Sequence, residues 1–196
     1  MSIKIAIFAS GSGSNAENLM EYFAENKTVD ILLILSNKPD AFLHERAKRF
    51  EVPSMSFTKT ELYETDLILS ILEEKKIDLI VLAGFLLKVP ANLIAAYPNR
   101  IINIHPALLP KYGGKGMYGH FVHEAVVANK EKESGITIHY VNENYDEGNI
   151  IFQARCEVLP TDSADDVAEK VLQLEHLHFP KVVEQFIEKL TLYFKT

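Results

Sequence analysis

Short apolar runs rich in β-branched residues alternate with longer segments of helical periodicity, and this alternation most constrains the fold. A predicted strand at Ile3 to Phe8 precedes a predicted helix near Ala16 to Glu25. A second pair follows, with a strand at Val29 to Leu35 and a helix near Phe42 to Phe50. The apolar spacing from Glu61 to Lys75 predicts one further helix. Such βα units predict an α/β fold, with an open, mainly parallel twisted sheet and helices on both faces.

The C-terminal part departs from this pattern. Ile136 to Val141 and Ile150 to Val158 are apolar runs around a short turn, which predicts antiparallel strands in this part of the sheet. Ser163 and Asp166 have the spacing of a capping box and should open a last long helix, which Pro180 is expected to kink or restart. We find no repeat, flexible linker or shift in composition, so we expect residues 1–196 to form a single domain.

Composition narrows the possible partners. The formal net charge of −7 argues against a broad surface for nucleic acid or membrane, although a local basic pocket is compatible with it. The lone Cys156 cannot form an intrachain disulfide, which fits a reducing compartment. No apolar run approaches the roughly 20 residues that span a bilayer, and the N-terminus lacks a signal-peptide layout. We therefore expect a complete cytoplasmic protein that binds small molecules.

A Gly/Ser-rich loop, from Ser10 to Asn15, lies between the first predicted strand and helix. Glycine lets a backbone approach a ligand closely, and the free N–H groups of the following helix favour an anion. The loop is therefore compatible with a phosphate site. It also fits the loose dinucleotide pattern G-x-G-x-x-[GA], but the second strand ends in Ser36-Asn37 without the acidic residue expected for an adenine ribose. A tight turn without any ligand is the third interpretation.

A polar pair stands at the end of another predicted strand, which runs from Ile101 to Ile104. Asn103 and His105 share one face of it, because side chains alternate across a strand. An asparagine amide can donate to a developing oxyanion, and histidine exchanges protons near neutral pH, so the pair suits acyl transfer. A carboxylate would orient the imidazole, and Asp146 is a candidate. The alternative is a strand-end pair that only satisfies backbone groups.

Several stretches together resemble the phosphoribosylglycinamide formyltransferase family, the folate-dependent enzymes of purine synthesis within the formyltransferase superfamily. The matching stretches, in chain order, are Ser10 to Asn15, Leu82 to Phe85, Asn103 to Pro110, His139 with the turn Tyr145 to Gly148, and Gln173 to His176. The stretch Asn-x-His-Pro-x-Leu-Leu-Pro is specific for the superfamily. The Gly/Ser loop narrows the resemblance to the phosphoribosylglycinamide formyltransferases within it. The resemblance covers nearly the whole chain.

The resemblance implies direct attack of the substrate amine on the formyl carbon of 10-formyltetrahydrofolate, which is a co-substrate, with no tightly bound cofactor. It implies a phosphate-binding half at about 1–100 and a catalytic and folate half at about 101–196. The catalytic residues would be His105, Asn103 and Asp146, supported by His139. Substrate phosphate and ribose would bind Gly13, Ser14, Asn15 and Glu175. Folate would bind Leu86, Leu87, Lys88, Val89, Asn103, Asn142 and Asp146.

Glu175 can also be assessed from the residues themselves. It follows Val171 by four positions and Val167 by eight, which puts it on the apolar, inward face of the last helix. A carboxylate buried there should have a partner. The resemblance implies the ribose hydroxyls and amine end of the glycinamide substrate, and the alternative is a salt bridge to a buried lysine or arginine.

Two stretches depart from the family pattern. The Gly-rich run from Tyr112 to Gly119 is longer than in many relatives, so it is expected to reshape the site entrance. Near Lys59 some relatives place an arginine that contacts the folate tail, but Thr60 and Glu61 stand there.

Other functions are alternatives to this one. A metal site is not expected, because it would need three or four converging ligands and the lone Cys156 has no partner motif. Formyltransferases acting on methionyl-tRNA normally carry a further C-terminal domain, formyltetrahydrofolate hydrolases a further N-terminal one, and sugar-nucleotide formyltransferases use amino sugars. A nucleotide-binding module without catalytic activity is the alternative from another class. The sequence is compatible with a monomer or a homodimer.

Overall fold

The computed structural model describes residues 2–193, which form seven strands and seven helices around one sheet. The strands are β1 (Ile3–Phe8), β2 (Val29–Ser36), β3 (Ser54–Ser56), β4 (Leu79–Leu82), β5 (Ile101–His105), β6 (Glu133–Tyr140) and β7 (Ile150–Glu157). The helices are α1 (Ser14–Phe23), α2 (Leu43–Arg49), α3 (Lys59–Tyr63), α4 (Leu67–Glu74), α5 (Ala91–Ala96), α6 (His120–Ala128) and α7 (Ala164–Tyr193).

The sheet has the strand order β3-β2-β1-β4-β5-β6-β7. Strands β1 to β5 are parallel, whereas β6 pairs antiparallel with both β5 and β7. The expected α/β fold, mainly parallel with antiparallel strands towards the C-terminus, is confirmed. Strand β1 lies between β2 and β4, so the order reverses beside it, and ligands of open α/β sheets bind at such a reversal.

Apolar side chains on the two faces of the sheet form two separate core clusters. Along β1, Ile5 and Ile7 belong to one cluster, and Ala6 and Phe8 to the other, as the alternation of side chains requires. Helices α1, α2, α6 and α7 contribute residues to the first cluster. Helices α3, α4 and α5 contribute to the second.

The segment predicted as one helix from Glu61 to Lys75 is two helices, α3 and α4, so that prediction was wrong. Thr58 caps α3 with a complete capping box, in which Glu61 N donates to Thr58 Oγ1 and Thr58 N donates to the Glu61 carboxylate. The chain leaves the helix at Glu64 and re-enters it at Leu67. Thr65 lies in this gap, where its Oγ1 donates to the Glu61 carbonyl oxygen at 2.8 Å and accepts from Leu67 N at 3.2 Å. These local polar bonds interrupt the periodic apolar pattern.

Helix α7 continues through Pro180 as one element, so the expected restart does not occur. Pro180 has no N–H to donate within the helix, and it is buried. The predicted capping box at its start is confirmed: Asp166 N donates to Ser163 Oγ at 3.2 Å and Ser163 N donates to Asp166 Oδ2 at 2.8 Å.

Candidate active site

One cavity of about 630 Å³ opens where the sheet order reverses. Its walls come from the loops after β1, β4 and β5, which end at the same edge of the sheet. The Gly-rich loop before α6 and the start of α7 close the remaining sides. The lining residues include Gly11 to Asn15, Ala83 to Leu86, Asn103 to Pro106, Gly114 to His120, His123, Tyr145, Asp146 and Glu175.

His105 ends β5 and is almost fully buried, with 4% of its surface exposed. Its Nε2 lies 2.7 Å from the carbonyl oxygen of Tyr112, and because a carbonyl only accepts, Nε2 carries the proton of this bond. Its Nδ1 lies 3.7 Å from Asp146 Oδ2, too far for a hydrogen bond but close enough for the carboxylate to attract the ring when it is protonated. Burial lowers the pKa of His105 below its ordinary value, although Asp146 and the Tyr112 carbonyl oppose this shift.

Asn103 is held by a histidine from the neighbouring strand. His139 lies opposite it in the β5–β6 pairing, and Asn103 Nδ2 is 3.1 Å from His139 Nε2. His139 Nδ1 lies 2.8 Å from the carbonyl oxygen of Tyr140, so Nδ1 carries the proton of that bond and Nε2 is placed to accept from Asn103. This chain of bonds fixes which end of the Asn103 amide is the donor. One of the two Nδ2 hydrogens serves His139, and the other is left for a ligand.

Asp146 lies in the turn before β7 with a left-handed backbone (φ 55°), a conformation that aspartate and asparagine tolerate better than most residues. Its Oδ2 accepts from Gly114 N at 2.9 Å, and its Oδ1 lies 3.6 Å from His139 Nε2. Burial raises the pKa of Asp146, but His139, His105 and the Gly114 N–H together outweigh that effect and lower it. Asp146 is therefore a carboxylate that faces both histidines.

The Gly/Ser loop connects β1 to α1 and borders the opposite end of the cavity. Gly13 has φ 75°, and a Cβ there would overlap the Leu43 side chain of α2. Ser10, fully buried, donates to Asn37 Oδ1 at 2.6 Å and accepts from Leu86 N at 2.9 Å, which ties the loops after β1 and β4 together. The first N–H groups of α1 have no intrahelical acceptor, so this end of the cavity attracts anions.

Glu175 of α7 enters the cavity beside this loop and is buried, as its helical position predicts. Its partner is neither a lysine nor an arginine: Asn15 Nδ2 donates to Glu175 Oε2 at 2.8 Å. Burial raises the pKa of Glu175, while the bond from Asn15 opposes the shift. Asn15 Oδ1 is buried without a hydrogen-bond partner, which leaves an acceptor free at this wall of the cavity.

The sequence matches the family model described as formyl transferase over residues 3–183. The chain belongs to the formyl transferase family.

The formyl transferase is similar over nearly its full length to several members of this family. It is 38% identical over 192 residues to the chloroplastic phosphoribosylglycinamide formyltransferase of Arabidopsis thaliana, covering 95% of this chain and 66% of that protein. It is 36% identical to the phosphoribosylglycinamide formyltransferase of Bacillus subtilis, covering 94% of both chains. The crystal structure of glycinamide ribonucleotide transformylase 1 from Symbiobacterium toebii superposes with a TM-score of 0.87 at 30% identity, over 96% of this chain and 89% of that chain.

The formyl transferase cavity brings together most of the residues predicted for the site. It is lined by the three predicted catalytic residues, the four predicted ribonucleotide-binding residues and Leu86. Four of the predicted folate-binding residues do not line it: Leu87, Lys88, Val89 and Asn142. Val89 is buried in the second core cluster and Leu87 packs against it, while Lys88 Nζ lies 6.0 Å from the ring centroid of Tyr145. A role of these residues in folate binding stays a prediction.

Some contacts of the formyl transferase site have no signature in the sequence. The Tyr112 carbonyl and the Gly114 N–H bind His105 and Asp146 through backbone atoms, which residue identity does not reveal.

His123 of α6 lines the cavity, and its buried Nδ1 has no hydrogen-bond partner. Burial, with a smaller effect of the neighbouring His120, lowers the pKa of His123 to about 4. Burial and the neighbouring histidines therefore favour the uncharged form of this ring.

Within residues 2–193 of the formyl transferase, no three or more His, Cys, Asp or Glu side chains are grouped so that they could hold a metal ion. No helix in the same range has both the length and the apolar character needed to cross a membrane.

Proposed function

We propose that the protein transfers the formyl group of 10-formyltetrahydrofolate to the amine of phosphoribosylglycinamide, a step of purine biosynthesis. One observation carries the proposal: Asn103, His105 and Asp146 line the same cavity as the anion-attracting Gly/Ser loop. Groups suited to acyl transfer and a loop suited to phosphate thus line one cavity. The matches to proteins named phosphoribosylglycinamide formyltransferase over about 95% of the chain support the same substrates.

The reaction proceeds by direct attack of the amine nitrogen on the formyl carbon. A C–N bond forms, the formyl oxygen takes negative charge, and the bond from the formyl carbon to the folate nitrogen then breaks. The amine loses one proton, and the departing folate nitrogen gains one. Asn103 donates its remaining Nδ2 hydrogen to the oxyanion, in an orientation that His139 has already set. This preorganisation lowers the reorganisation needed when charge develops.

His105 supplies the second donor and the proton path. Its Nε2–H points at the Tyr112 carbonyl in this conformation, so the Gly-rich loop must release that bond before Nε2 can donate to the formyl oxygen. The Asp146 carboxylate, 3.7 Å from Nδ1, stabilises the imidazolium that forms when His105 takes up a proton. Because burial keeps the pKa of His105 low, the ring returns that proton readily to the folate nitrogen.

Binding of the ribonucleotide uses the opposite end of the cavity. The backbone N–H groups of Gly13, Ser14 and Asn15 at the start of α1 bind the phosphate. Glu175 Oε atoms accept from the ribose hydroxyls, and its bond from Asn15 connects the ribose site to the phosphate site. The folate lies against Leu86 and the turn that carries Asp146.

The proposal also covers the location, partners and domain organisation of the enzyme. The lone cysteine and the net charge of −7 favour a cytoplasmic protein without nucleic-acid or membrane partners. The two halves of the chain share one continuous sheet, which supports a single domain. A monomer and a homodimer are distinguishable by sedimentation velocity across a range of protein concentrations.

The test is a spectrophotometric assay of tetrahydrofolate release from 10-formyltetrahydrofolate, with and without phosphoribosylglycinamide. Release that requires the ribonucleotide, with formylated product detected by mass spectrometry, is the expected result. Release without it indicates a hydrolase and refutes the proposal. No release in either condition favours an amino-sugar nucleotide acceptor or a protein without catalytic activity. The variant His105→Ala should reduce kcat by about 10²-fold while ribonucleotide binding persists.

A further inference from the structure

The crest of the Gly/Ser loop, formed by Gly11 and Ser12, is not held in place by its own side chains. Gly11 and Ser12 are exposed, and a Cβ added at Gly11 would meet no atom within 4 Å. Helix α2 provides the contacts that hold the crest. Leu43 packs against Gly13, and Arg46 Nε donates to the carbonyl oxygen of Ser12 at 2.8 Å.

The bond from Arg46 fixes the orientation of a peptide group that faces the cavity. The Ser12 carbonyl and the Gly13 N–H belong to one planar trans peptide, so they point in opposite directions. With the carbonyl bound to Arg46, the Gly13 N–H is directed away from α2. Ser12 and Gly13 line the cavity, but Arg46 does not. Arg46 therefore acts on a ligand through the peptide, without touching it.

Arg46 has a neighbour, Arg49, that shares its other partners but does not make this bond. Arg46 and Arg49 both pair with Glu17 in the first turn of α1. Both guanidinium groups also lie over the Phe42 ring, 5.1 Å and 5.6 Å from its centroid. The side chain of Arg46 is 19% exposed and that of Arg49 is 58% exposed. Loss of either removes one positive charge from the same cluster, but only loss of Arg46 frees the Ser12 carbonyl.

We infer that Arg46 is a positioning residue for the substrate phosphate, which it serves by orienting the Ser12–Gly13 peptide so that the Gly13 N–H donates to the phosphate. The inference rests on the proposed function, because it assumes that the Gly/Ser loop holds the phosphate of the ribonucleotide. A charge-assisted hydrogen bond of this kind, together with a correctly oriented donor, corresponds to about a tenfold or greater difference in phosphate affinity.

The experiment compares Arg46→Met with Arg49→Met by isothermal titration calorimetry, using ribose 5-phosphate and inorganic phosphate as probes. Arg46→Met should weaken both by about tenfold or more, whereas Arg49→Met should change them by less than about twofold. In steady-state assays, Arg46→Met should raise KM for the ribonucleotide while kcat and KM for the folate stay near wild type. Arg46→Lys keeps the charge but not the planar donor, so it should recover less than half of the lost binding energy.

The outcomes that overturn the inference are distinct. Equal losses in Arg46→Met and Arg49→Met would show that the charge alone matters, and unchanged phosphate affinity in Arg46→Met would remove the role altogether. A lower melting temperature with unchanged KM would assign Arg46 to stability only. Wild-type protein that binds ribose 5-phosphate but formylates nothing would refute the proposed function and leave the comparison of the two arginines valid. Wild-type protein that formylates but does not bind phosphate would refute the inference alone.

Discussion

Gly13 is a position where one added methyl group should be harmful, because its backbone and its surroundings both exclude a side chain. Its φ of 75° lies in the left-handed region that L-residues with a Cβ avoid. A Cβ built there would overlap Leu43 Cδ1 and would lie only 3.0 Å from Leu43 Cβ and 3.1 Å from Leu43 Cα. The last two atoms cannot move unless helix α2 moves with them.

The expected magnitude for Gly13→Ala is the sum of these two effects. A non-glycine residue held in the left-handed region costs about 1–3 kcal/mol, and overpacking a tight contact costs about 1–3 kcal/mol. The free energy of unfolding should therefore fall by about 2–6 kcal/mol, a large fraction of the roughly 5–15 kcal/mol typical of a folded protein. The displaced loop should also lose affinity for ribose 5-phosphate.

Urea unfolding followed by circular dichroism measures the effect, and Gly11→Ala is the matched control. Gly11 belongs to the same loop, but its φ lies outside the left-handed region and a Cβ there would meet nothing within 4 Å. That variant should stay within about 0.5 kcal/mol of wild type. The double variant Gly13→Ala/Leu43→Ala should lose less stability than the sum of the two single variants, because Leu43→Ala removes the clashing Cδ1 but leaves Cβ and Cα in place. The coupling expected for such neighbours is about 1–2 kcal/mol.

Two results would refute this reasoning. If Gly13→Ala and Gly11→Ala lose the same small amount of stability, the left-handed backbone and the contact with α2 do not hold the loop. If the Leu43→Ala and Gly13→Ala effects simply add, the destabilisation comes from the backbone alone and the steric part of the estimate is wrong.

Three further predictions follow from the buried ionisable groups. The pKa of His123 falls from an ordinary 6.5 in the unfolded chain to about 4, so the unfolded state binds more protons and stability decreases as pH falls from 6.5 towards 4. Between about pH 7.5 and about pH 5, wild type should lose about 2 kcal/mol more than His123→Leu in urea unfolding, and equal losses would contradict the assignment. Burial raises the pKa of Glu175, so its carboxylate destabilises the fold above its ordinary titration range. Glu175→Gln keeps an acceptor for Asn15 and should raise the urea midpoint at neutral pH while weakening ribonucleotide binding; a lower midpoint would count against this view. Asp146→Asn keeps the left-handed turn but removes the charge that supports protonated His105, so kcat should drop by about 10²-fold with ribonucleotide KM little changed, as initial-rate assays would show. An unaltered kcat would exclude the carboxylate from proton transfer.

Local rules were sufficient to predict several parts of the fold and the site. The two-residue repeat of a strand already placed Asn103 and His105 on one face, and both line the cavity. The four-residue spacing from Val171 placed Glu175 on the inward face of α7, where it is buried. The capping box of Ser163 depends only on residues three positions apart, and it forms as expected. Periodicity and capping are short-range, so the sequence alone expresses them.

Contacts between distant segments could be decided only by the tertiary structure. Asn15 and Glu175 bond across 160 positions, and Arg46 reaches the loop carbonyl of Ser12 across 34. No pattern in the sequence predicts either bond, because each depends on how α1, α2 and α7 pack on the same face of the sheet. The bond of His105 to the Tyr112 carbonyl is equally hidden, since any residue can offer that oxygen. Chemistry-bearing residue types and their local geometry are thus properties of the sequence. Their partners, and with them the charge states and orientations in the site, are properties of the packed molecule.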